Sequence, residues 1–378
     1  MIYLDNGATS FPKPSSVSSA VARCMRNYAG NAGRGAHKMS TMAAEKIWET
    51  RRDLAALFHV NNPANIVFTQ NCTESLNLGI KGILSPGDDV VISDMEHNSV
   101  YRPCVALAEK GVRTLFAKAD EDGTVRCDAV LKEITPRTRL VCLQHASNVG
   151  GGINPIGEIG AALRKRGILF MVDAAQTAGC TDTNVERDFI DILAFPGHKG
   201  LLGPQGTGGL YVREGIEIRP QREGGTGSGS ESPFMPDFLP DRLESGTLNL
   251  PGIVGLGEGV KFILRNGAEN IGRHERNLAM RFAEKVAYLP GVRLLGPKEW
   301  GRRTGIISLA TEGKDVSEIA EILNTKYGIA VRAGLHCAPL AAEKFGVLKT
   351  GSIRFSPGVF TSFRDMDYAF RCMREILL

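Results

Sequence analysis

Lys199 and Asp173 are the two residues whose types and surroundings first suggest chemistry. Lys199 closes residues 191–199, and Asp173 follows the apolar run at residues 168–172. Both runs are short and rich in Ile, Leu, Phe or Val, which is typical of buried parallel strands. Ligands of open α/β sheets bind at the carboxyl ends of such strands, so we expect an amine and a carboxylate to meet there. Taken alone, a lysine after Gly-His is more often an exposed surface residue.

This pair matches the needs of pyridoxal phosphate. The cofactor is an aldehyde on a pyridine ring, so it needs an amine to bond its C4′ atom and a carboxylate to keep its ring nitrogen protonated. We therefore predict that Lys199 is a Schiff-base lysine and that Asp173 faces the ring nitrogen.

Polar residues follow the neighbouring apolar runs as well. Cys72 and Thr73 lie where a strand turns into a helix, so free N–H groups and the helix dipole would stabilise a phosphate there. His97 could stack on a flat ring, and Asn148 could donate to a phenolate oxygen or a carboxylate. The alternatives are an ordinary helix cap for the first pair and turn or capping roles for His97 and Asn148.

Two further candidates lie in the last quarter of the chain. Cys337 sits in a loop with Arg332 and His336, two residues that could lower the pKa of a thiol and so favour the nucleophilic thiolate. Arg354 lies in an alternating stretch typical of a strand and could grip a carboxylate with two hydrogen bonds. The alternatives are an inert core cysteine and a surface arginine.

The composition indicates a soluble globular protein and gives no sign of a nucleic-acid or membrane partner. A chain of 378 residues fits about two domains, and 43% hydrophobic with 23% charged residues is ordinary for a soluble protein. The net charge of +4 comes without any run of like charge, so no nucleic-acid partner is expected. The start of the chain lacks a signal-peptide pattern and no apolar window could span a membrane, which predicts a cytoplasmic protein without a membrane partner. The eight cysteines form no Cys-x-x-Cys pair, so neither a disulfide framework nor a metal site is expected.

The order of apolar runs predicts the architecture. Strands alternate with amphipathic helices from about residue 45 to 212, the rhythm of a doubly wound parallel sheet. Residues 223–248 are dense in Gly, Ser and Pro and should form a long irregular loop. Helices are expected at residues 253–266 and 271–288, followed by a second, smaller α/β lobe.

With these residues in place, the chain resembles the class V aminotransferase-like enzymes of fold type I, and within them the cysteine desulfurases similar to SufS and selenocysteine lyase. The resemblance covers nearly the whole chain and is carried by short motifs at residues 3–9, 33–37, 96–97, 147–148, 172–176, 197–199, 244–249, 332–338 and 352–354. It implies an α/β fold with a large domain built on a mainly parallel seven-stranded sheet and a smaller α/β C-terminal domain. The implied limits are an N-terminal arm at 1–15 that packs with the small domain, a large pyridoxal phosphate domain at 16–255 and a small domain at 256–378.

The resemblance also implies roles for individual residues. Lys199 would carry the cofactor and remove the substrate Cα proton, while Asp173 holds the pyridinium proton. His97 would stack on the cofactor ring, and Gln176 and Asn148 would bond its phenolate oxygen. The phosphate would be bound by Cys72, Thr73 and His198. Thr247 would reach the phosphate from a neighbouring protomer, which implies a homodimer. The substrate carboxylate would be held by Arg354, Asn148 and Arg332. His97 and Cys337 join Lys199 as the implied catalytic residues.

The implied reaction converts L-cysteine to L-alanine and leaves a persulfide on Cys337, which would pass to a sulfur-acceptor protein. The chain departs from the family pattern at Pro196, at Cys72 where threonine is common, and at Leu335. A selenocysteine lyase acting on L-selenocysteine, another class V lyase or an aminotransferase remains the alternative, as does a non-catalytic scaffold of the same fold.

Overall fold

The computed structural model describes residues 1–33 and 35–378, so Arg34 of the motif at 33–37 lies outside the described residues. Its centre is a seven-stranded sheet in the order β2-β8-β7-β6-β5-β3-β4. The strands that form it are β2 Ile66–Thr69, β3 Asp89–Ser93, β4 Arg113–Ala117, β5 Thr138–Gln144, β6 Leu169–Asp173, β7 Ile192–Pro196 and β8 Gly208–Val212. The mainly parallel sheet expected from the sequence is confirmed.

Both faces of this sheet are covered, as the continuous apolar runs require. In β6, Phe170 and Val172 join one core cluster while Met171 joins the cluster on the opposite face, because side chains alternate along a strand. Helices α1, α2, α6 and α7 supply the first cluster, and α3 and α4 supply the second. The helices are α1 Ser15–Asn27, α2 Lys38–Phe58, α3 Cys72–Ile83, α4 Asn98–Ala108, α5 Cys127–Lys132, α6 Ile156–Arg164, α7 Leu250–Asn266, α8 Ala268–Val286, α9 Val316–Tyr327, α10 Pro339–Lys344 and α11 Phe363–Leu377.

Strand β8 corrects one detail of the expected βαβ series. It is antiparallel to both of its neighbours, β2 and β7. The physical reason is the connection, because residues 197–207 contain no helix that could cross over the sheet, and a parallel partner needs such a crossover.

The C-terminal part builds a second sheet and its own core. Strands β9 Val292–Leu295, β10 Ile307–Thr311, β12 Arg332–Gly334 and β13 Ser352–Phe355 form an antiparallel sheet in the order β12-β13-β10-β9. Residues of α8, α9 and α11 pack into the same cluster, which also includes Leu4.

The N-terminal segment reaches this C-terminal part. Its strand β1 Ile2–Tyr3 pairs in parallel with β11 Ile329–Ala330. The expected domain limits stay a prediction, and residue 255 falls inside α7, which runs unbroken to Asn266 and packs on α1 and α2.

Between β8 and α7 the chain has no helix or strand, so the long irregular loop expected at residues 223–248 is confirmed. Among the residues described, no helix has both the length and the apolar character that a membrane crossing requires.

Candidate active site

The carboxyl edge of the large sheet brings most of the predicted site residues to one place. Asp173 is the last residue of β6, and Lys199 comes three residues after the end of β7. Eight predicted residues line a single cavity at this edge: Cys72, Thr73, His97, Asn148, Asp173, Gln176, His198 and Lys199. Arg332, Cys337, Arg354 and Thr247 do not line this cavity.

Asp173 lines this cavity as a buried carboxylate. Its Oδ1 accepts the N–H of Ala175 at 2.8 Å and the thiol of Cys72 at 3.4 Å. Burial raises the pKa of Asp173, while the Ala175 N–H and the positive charge of Lys199 act in the opposite direction. A cationic group placed against this carboxylate would keep it ionised.

Lys199 is a half-buried amine with no hydrogen-bond partner for its Nζ among the described residues. Burial lowers the pKa of Lys199. Asp173 opposes this shift and the nearby Arg354 strengthens it. A lysine whose pKa is lowered in this way is present as free amine more often and can act as a base.

The start of α3 forms the side of the cavity suited to an anion. Asn71 caps the helix by accepting the N–H of Glu74 at 2.9 Å, which leaves the N–H groups of Cys72 and Thr73 free of partners in the described part of the chain. The hydroxyl of Thr73 lies 2.8 Å from that of Ser99. Free N–H groups and the helix dipole at this end attract a phosphate.

His97 stands at the start of α4 and is held by Ser99. Its Nδ1 accepts the Ser99 N–H at 3.1 Å and lies 2.9 Å from the Ser99 hydroxyl. Burial, with help from Lys199 and Arg332, lowers the pKa of His97 to about 4. The ring is therefore neutral at pH 7, and because Nδ1 accepts a bond, its proton sits on Nε2.

Asn148 joins the large sheet to the loop of Cys337. Its Nδ2 donates to the carbonyl of His336 at 2.7 Å, and its own carbonyl accepts from Nη1 of Arg354 at 3.1 Å. Its Oδ1 is buried and has no hydrogen-bond partner among the described residues. Buried polar atoms are nearly always paired, so this acceptor oxygen would be satisfied by a hydrogen-bond donor.

The N-terminal segment contacts two residues that line the cavity, Gln176 and His198. Gln176 donates from Nε2 to the carbonyl of Gly7 at 3.2 Å, and Nδ1 of His198 lies 3.1 Å from the hydroxyl of Thr9. The carbonyl of His198 accepts from Ser10 and from Nζ of Lys13. Burial, with the charges of Lys199 and Lys13, lowers the pKa of His198 to about 4, so this ring is neutral as well.

Arg354 is enclosed, with 1% of its surface exposed, so the alternative of a surface arginine is wrong. Nη2 donates to Asp5 Oδ1 at 2.9 Å, and its Nε is buried without a partner among the described residues. Burial lowers the pKa of Arg354, and Asp5 acts against that shift. Asp5 therefore already neutralises part of the charge that the sequence assigned to a substrate carboxylate.

Cys337 is exposed, whereas Cys24, Cys72, Cys104, Cys127, Cys142, Cys180 and Cys372 are buried, so the alternative of a core cysteine is wrong. Arg332 donates from Nη2 to its sulfur at 3.4 Å. The expected positive charge of His336 is absent, because burial lowers the pKa of His336 to about 3 and its Nε2 contacts Ser352. Arg332 is thus the cation in contact with this sulfur.

The Cys337 loop has an uncommon backbone. His336 and Cys337 have φ angles of 54° and 57°, in the left-handed region that side chains other than Gly rarely adopt. Two hydrogen bonds hold this turn from the large domain: Asn98 N–H donates to the Cys337 carbonyl at 2.8 Å and Asn148 Nδ2 to that of His336. The loop is therefore fixed against the edge that carries His97 and Asn148.

Thr247 lies apart from these residues. It lines a separate cavity with Phe68, Glu74 and Arg222 at the end of the irregular loop. Within one chain it does not reach the cavity around Lys199.

Two functional contacts were missed from the sequence. Asp5 pairs with Arg354 across 349 positions, and Ser99 links His97 to Thr73. Ser99 is the second residue of α4, whose N-cap is His97, so the signal for this contact was a capping histidine two residues before a serine. No local pattern signals an ion pair as distant in sequence as that of Asp5.

The cavity suits pyridoxal phosphate by its unpaired groups. It offers free N–H groups for a phosphate, the buried Asp173 carboxylate for a ring nitrogen, and the unpaired Lys199 amine for the aldehyde carbon. In the described residues, no group of three or more His, Cys, Asp or Glu side chains is arranged to hold a metal ion.

This geometry agrees with the family of the chain. The chain belongs to the aminotransferase class-V family, whose model matches residues 2–368.

Relatives within this family are more specific. A protein of Methanothermobacter thermautotrophicus described as a probable cysteine desulfurase is 33% identical over 381 residues, which covers 99% of this chain and 94% of that protein. The apo structure of the cysteine desulfurase of Thermococcus onnurineus superposes with a TM-score of 0.92 at 34% identity and covers 100% of this chain and 94% of that one. The cysteine desulfurase CsdA of Escherichia coli has a TM-score of 0.88 at 27% identity, with 100% and 95% covered. The expected fold type I architecture is thereby confirmed.

Proposed function

We propose that this chain is a pyridoxal phosphate-dependent cysteine desulfurase that converts L-cysteine to L-alanine and keeps the sulfur on Cys337 as a persulfide. The observation that carries the proposal is the position of Cys337: it is exposed, it touches Arg332, and its loop is bonded to the edge with His97 and Asn148. The naming of similar full-length proteins as cysteine desulfurases supports it.

The residues around the cavity would each bind a different group of the cofactor. Thr73, Cys72 and His198 would hold the phosphate, Asp173 the ring nitrogen, and Gln176 and Asn148 the phenolate oxygen. His97 would stack on the ring, and Lys199 would hold the cofactor covalently. When bound, pyridoxal phosphate supplies an electron sink for the bonds at the substrate Cα.

Lys199 would move the proton at Cα. Its lowered pKa favours the free amine, which can accept a proton and later return it to the product. Because His97 is neutral at pH 7, it adds no competing positive charge beside this amine.

Cys337 would take the sulfur. Its thiolate attacks the substrate sulfur, a new S–S bond forms and the C–S bond to the substrate Cβ breaks. The electron pair of that bond stays with the carbon skeleton, which takes up protons to become alanine. L-cysteine and a protein thiol thus give L-alanine and a protein persulfide, and no outside oxidant or reductant is needed. Arg332 stabilises the attacking thiolate by its contact at 3.4 Å.

Arg354 would bind the substrate carboxylate with help from Asn148 and Arg332. The buried Nε of Arg354 is the donor that still lacks a partner in the described part of the chain. L-selenocysteine would fit the same groups and is the alternative substrate. We further propose a cytoplasmic homodimer in which Thr247 reaches the partner's phosphate site, and a sulfur-acceptor protein that removes the persulfide from the exposed Cys337. The proposed N-terminal arm at 1–15 would pack on the small domain.

The test measures alanine and sulfide formed from L-cysteine in the presence of a reductant, with wild type and Cys337→Ala. Cys127→Ala is the matched control, because Cys127 is a buried cysteine on α5. We expect Cys337→Ala to bind the cofactor and to lose both products, and Cys127→Ala to remain active. Unchanged turnover in Cys337→Ala would contradict the persulfide mechanism. In that case alanine from L-selenocysteine would support a lyase, and amino transfer to a keto acid would support an aminotransferase.

A further inference from the structure

Arg303 is a buried charge that the proposed reaction does not use. Its side chain is 0% exposed, and no carboxylate in the described part of the chain pairs with it. Nη1 donates to the Pro297 carbonyl at 2.7 Å, and Nη2 lies within 3.0 to 3.1 Å of the carbonyls of Gly150, Leu295 and Ile306. Burial lowers the pKa of Arg303 to about 10, so it still carries its charge at pH 7. A buried charge is costly, so this arrangement of carbonyl groups around it needs a reason.

The hydrogen bond from Arg303 to the Gly150 carbonyl is one of four hydrogen bonds to consecutive residues. Four carbonyls in a row, from Asn148 to Gly151, each accept a hydrogen bond from a residue of the C-terminal part. The donors are Arg354 Nη1 to Asn148, Ser308 Oγ to Val149, Arg303 Nη2 to Gly150 and Thr304 N–H to Gly151, at 3.1, 2.7, 3.0 and 2.8 Å. We call residues 148–151 the Asn148 segment.

Glycines make this close approach possible. A Cβ on Gly150 would lie 2.7 Å from Phe345, and one on Gly151 would lie 2.9 Å from the carbonyl of Ile306. Gly151 also has a φ of 73°, which favours Gly. The glycine run after Asn148 is therefore explained by backbone packed against the C-terminal part.

We propose that Arg303 is a positioning residue that fixes the Asn148 segment to the C-terminal part and thereby places the Asn148 side chain in the site. Because the Asn148 segment follows β5 of the large sheet and its carbonyls accept bonds from Ser308 of β10 and Arg354 of β13, the Asn148 side chain is positioned from both parts of the molecule. Arg303 acts from outside the cavity through backbone carbonyls and does not touch the substrate. This inference rests on the proposed function, since Asn148 is assigned there to the cofactor and the substrate carboxylate.

A double-mutant cycle tests this proposal. Arg303→Lys keeps the charge but cannot bond four carbonyls at once. Displacement of a positioned group by about 1 Å can cost on the order of 100-fold in rate, so we expect kcat/KM for L-cysteine to fall about 10- to 100-fold. If Arg303 acts through Asn148, the same change in an Asn148→Ala background should cost less than about twofold, because the position of Asn148 no longer matters.

A second measurement does not depend on activity. In cofactor-free protein, amide hydrogen exchange should rise in the Asn148 segment of Arg303→Lys. Arg302→Lys is the matched control, because Arg302 is exposed and, among the described residues, its side chain pairs only with Asp122, at 3.8 Å. It should change neither readout. Should Arg303→Lys fail to fold, Ser308→Ala removes the bond to the Val149 carbonyl and should give the same pattern more weakly.

The outcomes separate the two proposals. An equal loss of kcat/KM in both backgrounds, or unchanged exchange in the Asn148 segment, overturns the role of Arg303. If wild type makes no alanine from L-cysteine, the proposed function fails, and the exchange measurement in cofactor-free protein still decides whether Arg303 holds the segment.

Discussion

The ion pair of Arg51 and Glu244 permits a quantitative stability prediction. Both side chains are nearly enclosed, 3% and 6% exposed, and two guanidinium nitrogens lie 2.9 and 3.0 Å from the two carboxylate oxygens. The N–H of Phe68 donates to the same carboxylate at 2.6 Å. Arg51 belongs to α2 and Glu244 to the irregular loop, three residues before Thr247. The pair therefore fastens the end of this loop to the large domain.

Changing Glu244 to Gln keeps the size of the side chain and removes its charge, which leaves Arg51 buried without its counter-ion. Removing one partner of a buried pair costs about 3 to 5 kcal/mol of unfolding free energy. Changing both residues to Met removes the uncompensated charge and leaves the Phe68 N–H unpaired, a cost of about 1 to 3 kcal/mol. The Ile66 carbonyl also loses the hydrogen bond that Arg51 donates to it. The double variant should therefore be more stable than Glu244→Gln.

The assay is the free energy of unfolding of cofactor-free protein, from guanidinium chloride titration followed by circular dichroism. The control is Lys326→Met, which breaks the pair of Lys326 and Glu375 at 2.8 Å. Both of those side chains are 60% exposed, so no measurable change is expected. A loss below about 1 kcal/mol for Glu244→Gln, the range of surface pairs, would refute the reasoning, as would a double variant less stable than Glu244→Gln.

The remaining predictions concern Asp173 and His145. Asp173→Asn should still bind pyridoxal phosphate, seen by absorbance, and lose on the order of 100-fold in alanine formation, because a neutral amide no longer stabilises the protonated ring nitrogen of the cofactor. Full activity would show that Asp173 does not set this protonation. Burial lowers the pKa of the enclosed His145 from 6.5 to about 4. Between pH 6.5 and pH 4, His145 binds a proton in the unfolded chain but stays neutral in the folded protein. The free energy of unfolding therefore falls by up to about 1.4 kcal/mol per pH unit as the pH drops. Titrations at pH 7, 6 and 5 should show a flatter slope for His145→Gln, and an unchanged slope would contradict the assignment.

The sequence predicted the elements whose residues carry a strong local pattern. The apolar runs of β5, β6 and β7 identified the centre of the sheet, and strand order then places Asp173 and Lys199 at one edge. The polar residues after these strands predicted most of the cavity for the same reason, because the carboxyl ends of parallel strands meet.

The sequence did not reveal the direction of a strand or the burial of individual side chains. Strand β8 has the same apolar pattern as the parallel strands of the sheet, and only the missing crossover helix before it indicates its antiparallel direction. The edge strand β4 was not predicted, because its partly exposed residues lack a continuous buried pattern. The charge of His336 was expected beside Cys337, and burial, which sequence does not display, removes it.

The exposure of Cys337 means that its thiol can be titrated in the native protein. All eight cysteines lie in the described part of the chain, and the other seven are buried. A thiol reagent applied to the native protein should therefore report close to one equivalent per chain, and the label would mark this loop alone. If Cys337 carries the persulfide as proposed, the reagent titrates the active site, and specific activity can be expressed per competent site instead of per milligram of protein.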